Sequence, residues 1–503
     1  MGAVGSGSLH RRWFALGLVA VALLGVLVCV QPFTGDQALF ASGARQLAHG
    51  DVLYRDFWDV KQPGIYAFYL AGGGLFGYSE VALHLFELVN LLAFAVLLAT
   101  TLRGRFERSW IGAIVPVFVV GTYYATVEPV QLGQVESLVG IPLYVALWCS
   151  ARAGAPDARR AWLLAAGVAG GVVLVFKLVL APIVVALWFV AIVPTARRAI
   201  GHRGRLLRDG AVLVVGAALP IGAVIAYLAA HGQLETARWT YVDVTRATTG
   251  IAGRPVSRLI EGAARTVARW AVPLVLAAYG AVTTFRRGWD RFEVGLVAWA
   301  VLGVPVFLVQ HWWIYQYAIF LVPIGIFAGH GLDNLCRVWG RLGRVRAVAV
   351  LAIGGVLALP LLLRVESNAR DVATHGFAAT AADRASLRAD VEPHYRAAAA
   401  WTRHLQRVGP TPRGVYVLGN PLDLYLADRR QSVAINGWSP EQYSAEVWRR
   451  LTTQLARARP TELVVDRFSA RIMRERSPAT IRLIRSLYRE VGGSGDDTWY
   501  HLR

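Results

Sequence analysis

Eleven apolar runs, most of them close to the length of a membrane-crossing helix, divide the first 363 residues. They lie at roughly 13–30, 80–102, 109–125, 134–150, 161–176, 178–195, 211–230, 270–285, 293–309, 316–332 and 346–363. A run of about 18 residues with few charges reads as a transmembrane helix, because in hydrocarbon every backbone polar group must find its partner within its own segment. Composition agrees: 55% of the 503 residues are hydrophobic and 17% are charged, against about 25% charged in a soluble domain. These features exclude a soluble enzyme, a disordered chain and a secreted disulfide scaffold. A transmembrane β-barrel would show alternating segments of about ten residues, and none is evident. The expected fold class is a polytopic α-helical membrane protein of about 11 transmembrane helices.

The formal charge of +20 would suggest nucleic acid in a soluble chain. Here the positive-inside rule and anionic lipid head groups account for it, and no nucleic-acid partner is expected. With the N-terminus inside, the cytoplasmic ends of the spans gather 20 basic residues, in the groups Arg11-Arg12, Arg103 to Arg108, Arg152 to Arg160, Arg197 to Arg208, Arg286 to Arg291 and Arg337 to Arg346. The outside loops before residue 364 hold 10 over a longer total length. The expected topology is N-in, C-out. The run at 13–30 lacks a small-residue cleavage site and is read as a retained first helix rather than a signal peptide. The three cysteines, Cys29, Cys149 and Cys336, have no metal-type spacing and read as small apolar residues.

Residues 1–363 are thus expected to form a transmembrane domain with long outside loops at 31–79 and 231–269. Residues 364–503 are expected to form an outside α/β domain. Helical patterns occur near 383–407, 440–457 and 477–490, and strand-like runs at Val415–Leu418, Ser432–Ile435 and Glu462–Val465. Gly419-Asn420-Pro421 and Asn436-Gly437 supply turns. The first outside loop contains two amphipathic stretches, Asp36 to Ala48 and Pro63 to Phe76.

A charge in the hydrocarbon core costs at least ~2.5–3.5 kcal/mol on insertion scales, so ionisable residues near spans are informative. They cluster at the outer ends. Glu136 opens the fourth span, Lys177 lies in the turn between the fifth and sixth, and His311 caps the ninth. Lys61 and Lys177 are the only lysines among 52 basic residues. Each candidate also has a plainer reading. Asp36 fits a helix N-cap. Lys61 fits a side chain snorkelling to head groups, and Lys177 an interface anchor. Asp56 and Asp59 fit turn residues or partners of Arg55. Glu136 fits a complement to a helix dipole. Glu87, on one face with Glu80 and His84, fits a hydrogen bond between helices. The stretch from Gln310 to Tyr317, with His311 and Tyr315, fits an aromatic belt.

Taken together, these residues resemble a family. A first span leading to Asp36, a loop reading Tyr54-Arg55-Asp56-x-Trp58-Asp59-x-Lys61-x-Pro63, Glu136 at the fourth span and Lys177 between spans five and six are similar to the GT-C membrane glycosyltransferases. The nearest group is the bacterial branch of the protein-mannosyltransferase and aminoarabinose-transferase type. The His311-to-Pro323 stretch resembles that branch's late His-Tyr-rich motif, and Val415 to Asn420 with Glu462 to Asp466 resemble its outside α/β domain.

The resemblance implies transfer of a sugar from a polyprenyl-phosphate donor to an acceptor hydroxyl on a glycan, lipid or protein. The reaction would occur at the outer face of a bacterial plasma (inner) membrane, in contact with membrane lipids. It implies Asp36 as general base, Glu136 as an orienting acid, and Lys61 and Lys177 as ligands of the donor phosphate. Asp56, Asp59, His311 and Tyr315 are the further substrate-binding candidates. The reading requires Asp36, Lys61 and Lys177 to face one water-filled cavity. The family often has Asp-Glu where this chain has Asp36-Gln37, and no Asp-x-Asp stands in the first loop. No cofactor and no obligatory metal is therefore expected, with Asp56 and Asp59 as the alternative. Competing readings are a lipid or solute transporter or flippase, which would favour paired broken helices and inverted repeats, and a non-catalytic envelope scaffold.

Overall fold

A computed structural model of the chain describes residues 3–153, 159–198, 203–248 and 255–503. Each expected span falls on helix. Among the described residues, seven helices are long and apolar enough to cross a membrane: His10–Val28, Glu80–Thr101, Ser109–Thr126, Leu206–Ala230, Arg291–Leu308, Ile314–Arg341 and Arg344–Ala378. The pair Val256–Arg269 and Ala271–Arg287 meets the same test jointly but bends by 81°. Arg160–Phe176 and Leu178–Ile192 are shorter apolar helices. The segment expected at 134–150 is divided into Val135–Leu138 and Gly140–Arg152. The expected number of eleven therefore resolves into long helices, short ones, a divided one and a bent pair. Apolar composition registers all of these alike.

Side-chain exposure identifies the lipid-facing surfaces. The helix Arg344–His375 presents Val345, Val348, Leu351, Val356, Leu359 and Leu362 outward, all more than half exposed. In water such a stripe would be an aggregation hazard; in a bilayer it is the solvated face.

The chain forms two compact units, each assembled from separate stretches of sequence. The first comprises Met1–Val30, His84–Gly222 and Pro255–Thr374. Its helices approach closely where glycines meet. A Cβ on Gly280 would lie 2.0 Å from the Phe327 carbonyl oxygen, and one on Gly331 would lie 2.0 Å from that of Leu276. Small residues at such crossings replace the hydrophobic driving force that lipid removes. Glu87 accepts hydrogen bonds from the Tyr123 hydroxyl at 2.7 Å and the Gly133 amide at 3.0 Å. It joins separate helical segments, as expected of an acid set within a span.

The second unit comprises Gln31–Leu83, Ala223–Arg254 and His375–Arg503. Its sheet has strands β1 (Val415–Leu418), β2 (Glu462–Asp466), β3 (Tyr488–Ser494) and β4 (Asp497–Leu502), in the order β1-β2-β4-β3. β1 and β2 are parallel, and β4 runs antiparallel to both its neighbours. Trp401, Leu405, Val415, Val417, Leu424, Val464 and Trp499 form the core beneath it.

Two expectations for this region change. Ser432–Ile435 is not a strand: Ile435 makes an isolated bridge to Trp58, and neighbouring Gln431 one to Val415. The helix expected to 490 ends at Leu487, where the chain turns into the β3–β4 hairpin. Gly495 there holds a left-handed φ of +58° that closes the turn.

Residues 31–83 and 223–248 belong to this unit through specific bonds. The Trp58 amide donates to the Ala434 carbonyl at 2.7 Å, and its indole donates to Thr240 Oγ1 at 2.9 Å. Glu80 receives Arg388 through both carboxylate oxygens, at 2.6 and 2.9 Å.

Candidate active site

Asp36 lies in the first turn of the helix Gly35–Ala48. It is not the cap. Thr34 is the N-cap residue, and its amide and hydroxyl donate to Gln37 Oε1 at 2.6 and 2.9 Å. Gln37, standing where the resembled family often has an acid, is thus fully buried cap chemistry. The Asp36 carboxylate is left for other work. Lys61 Nζ donates to its Oδ2 at 3.4 Å, and the Trp438 indole donates to its Oδ1 at 2.8 Å. The Asp36 side chain is 13% exposed and that of Lys61 30%. Both groups are shielded, yet neither is sealed.

The surroundings explain the aim of these groups. The Trp438 ring lies directly over Gly35, where a Cβ would sit 2.2 Å from a ring carbon. Trp438 is itself placed by Asn436, whose Oδ1 accepts the Trp438 amide at 2.9 Å while its Nδ2 donates to the Trp58 carbonyl at 2.8 Å. The next residue, Ser439, holds φ +57°, an uncommon conformation for a non-glycine residue. Lys61 Nζ stands 5.0 Å from the centre of the Phe40 ring. The Lys61 carbonyl accepts the Tyr54 hydroxyl at 2.9 Å, and Tyr54, at φ +71°, also shares a hydrogen bond with the Tyr241 hydroxyl. Backbone conformations of this kind persist where surrounding contacts over-determine them.

Asp56 and Asp59 serve the loop. Asp56 Oδ2 accepts Arg55 Nη2 at 2.8 Å and the Val52 amide at 2.9 Å. Burial pushes its carboxyl up, but Arg55 and the Val52 amide outweigh that and hold it below the usual carboxylate range. Asp59 is buried and accepts the Tyr66 hydroxyl at 2.7 Å.

In the first unit, Glu136 opens the helix Val135–Leu138 with its side chain 2% exposed, and it is ion-paired to Lys177. His311 and Tyr315 are half-buried, near Trp312 with φ +59°. The His311 carbonyl accepts Arg258 Nη1 at 3.2 Å. The structure thus brings Asp36 together with Lys61 in one unit, and Glu136 together with Lys177 in the other.

Sequence reasoning missed Trp438. Asn436-Gly437 was legible as a turn, and the turn is what delivers the indole, but nothing local says which side chain the turn aims. Glu128 is a second omission. It binds Arg269 at 2.7 Å and Arg265 at 3.1 Å, and its signal was an acid next to Pro129 at a span end.

A body of apolar helices with a small sheet near the C-terminus is the fold of solved membrane glycosyltransferases such as ArnT. Solved proteins share it across nearly the whole chain. ArnT from Cupriavidus metallidurans bound to undecaprenyl phosphate superposes with a TM-score of 0.64 at 16% identity, covering 97% of this chain and 98% of that one. Its apo state gives 0.60 at 17% identity, with the same coverage. The archaeal oligosaccharyltransferase AglB from Archaeoglobus fulgidus, in complex with an inhibitory peptide and a dolichol-phosphate, gives 0.53 at 13% identity, covering 98% of this chain and 74% of that one. At these identities the likeness is one of fold. No family model and no curated protein matches the sequence.

Proposed function

We propose that the protein transfers a sugar from a polyprenyl-phosphate-linked donor to an acceptor hydroxyl at the outer face of a bacterial plasma membrane, with Asp36 as the general base. The observation that carries this reading is the Asp36 carboxylate itself. It is held by one ammonium and one indole N–H, is partly open to solvent, and is spared capping duty. In the reaction, the acceptor O–H gives its proton to Asp36 while its oxygen bonds to the anomeric carbon. The bond from that carbon to the phosphate oxygen breaks, and the polyprenyl phosphate leaves with the electron pair. A positioned base of this kind contributes roughly 10²–10⁴-fold.

Lys61 binds the leaving phosphate as a point charge, exchanging part of its contact with Asp36 for phosphate oxygens. Glu136 orients the acceptor or the sugar. His311 and Tyr315 contact substrate from their half-buried loop. Asp56 and Asp59 shape the loop that carries Lys61, and we assign no metal to the transfer step. The solved ArnT with undecaprenyl phosphate and AglB with a dolichol-phosphate support a polyprenyl-phosphate donor. The positive-inside distribution supports an N-terminus in the cytoplasm and an outside C-terminal domain.

The test is Asp36→Asn, which preserves shape and removes basicity. Membrane expression is expected to be unchanged, and transfer from a labelled polyprenyl-phosphate sugar to fall by at least 10²-fold. Wild-type transfer by this variant would overturn the base assignment. Lipid or solute movement by purified wild-type protein, with no sugar transferred, would overturn the enzymatic reading.

A further inference from the structure

A second cluster of chemically capable side chains lies in the outside sheet, apart from every residue assigned above. His394 opens the helix His394–Val408. Asp423 stands in the first turn of Leu422–Ala427, the helix that follows β1. Asp497 opens β4. His394 Nε2 is 3.0 Å from Asp423 Oδ2 and 3.6 Å from Asp497 Oδ2, and both carboxylate side chains have 0% exposure. One ligand atom from each of the three residues lies within 4.8 Å of the other two. Neither oxygen of Asp497 accepts a hydrogen bond among the described residues, and nor does Asp423 Oδ1.

Three buried carboxylate oxygens without donors, on the two aspartates beside one imidazole, require explanation, because buried polar groups are otherwise almost always satisfied. Asp466, at the end of β2, adds a third negative charge that acts on both Asp423 and Asp497. The single imidazole is outnumbered. Glu462, at the opposite end of β2, makes the contrast. One of its oxygens accepts His404 at 3.1 Å and the other is bonded to His501, so that group is complete.

We propose that His394, Asp423 and Asp497 form a binding site for a divalent transition-metal ion of the zinc type. A nitrogen-plus-oxygen donor set suits zinc, whose ligands stand about 2.0–2.2 Å from the ion and hence about 3.4 Å from one another in a tetrahedron. The observed separations of 3.0 and 3.6 Å bracket that value. The ion neutralises the surplus charge and gives the unpaired oxygens a partner. It also ties together a helix start, the turn after β1 and the start of β4, elements spread from residue 394 to residue 497. The position, at the carboxyl ends of the parallel strands β1 and β2, is where loops in open α/β sheets converge on ligands. The ion's work is structural and takes no part in the transfer step.

The experiment uses the full chain, purified in detergent, stripped with EDTA and dialysed against zinc chloride. Elemental analysis should find one zinc per chain fewer in Asp497→Asn and in His394→Ala than in the wild type. Zinc should raise the melting temperature of the stripped wild type and leave that of Asp497→Asn unchanged. X-ray absorption on the zinc-loaded wild type, which needs no variant to fold, should show a first shell of nitrogen and oxygen with imidazole scattering. Equal zinc content in the wild type and the folded variants would overturn the proposal. So would a zinc shell without imidazole, or a preference for calcium or magnesium over zinc at equal concentration.

Discussion

In the proposed reaction the Asp36 carboxylate takes a proton and has to be aimed, and the Trp438 indole N–H donates to its Oδ1. Hydrogen bonds to charged groups contribute about 1.5–3 kcal/mol, so loss of this one is expected to slow transfer by roughly 10- to 100-fold. Trp438→Phe keeps a ring over Gly35 and deletes only the N–H. Steady-state kinetics should show kcat reduced with KM for the polyprenyl donor little changed, because in the proposed reaction the indole acts through Asp36. A variant with wild-type kcat would show that the indole merely packs. The sequence exposed half of this arrangement. Asp36 and Lys61 stood out because charges beside apolar spans are costly and rare. Trp438 did not, because one more aromatic among the chain's 17 tryptophans carries no local mark, and its partner lies 402 residues away. The plainer reading of Asp36 as a cap failed for a local reason: Thr34 and Gln37 already form that cap.

Among the elements, apolar spans were the most legible and strands the least. A span is announced by its own composition, whereas a strand needs a neighbour. Val415–Leu418 and Glu462–Asp466 are buried along nearly their whole length and read as strands from sequence alone. Tyr488–Ser494 is exposed except at its first and last residues, contains two glycines, and is a strand only because β4 lies beside it. β4 repays that pairing by carrying Trp499 into the core, with ring centres 5.7 Å from Trp401 and 5.0 Å from His404. Removing a large buried aromatic costs about 3–5 kcal/mol. Trp499→Ala is therefore expected to lower the melting temperature of the unit that holds the sheet by several degrees and to hasten its proteolysis. Val491→Ala, on the exposed face of β3, should shift stability by no more than about 0.5 kcal/mol. Equal stability of the two variants would show that the hairpin is an appendage and not part of the core.

For the molecule as a whole, the charge distribution makes a claim about sidedness that single residues cannot. If arginines mark the cytoplasmic ends of the spans, the exposed Gly343 faces the cytoplasm and the exposed Gly495 faces outward. Cysteines introduced one at a time, in a background with Cys336→Ser, should react differently with a membrane-impermeant maleimide on intact cells. Gly495→Cys is expected to label and Gly343→Cys to label only after lysis. The reverse pattern would put the Asp36 loop in the cytoplasm, away from any lipid-linked sugar presented outside. The grouping of residues 31–83 and 223–254 with the C-terminal segment was not legible in hydropathy, which sorts residues by affinity for lipid and is silent on which loops find each other. That grouping bears on how the protein is made. The Trp438 indole emerges from the ribosome some four hundred codons after Asp36, the carboxylate it meets. A nascent chain therefore inserts its early helices with Asp36 still lacking this partner, and a chain that stops before Trp438 never gains it.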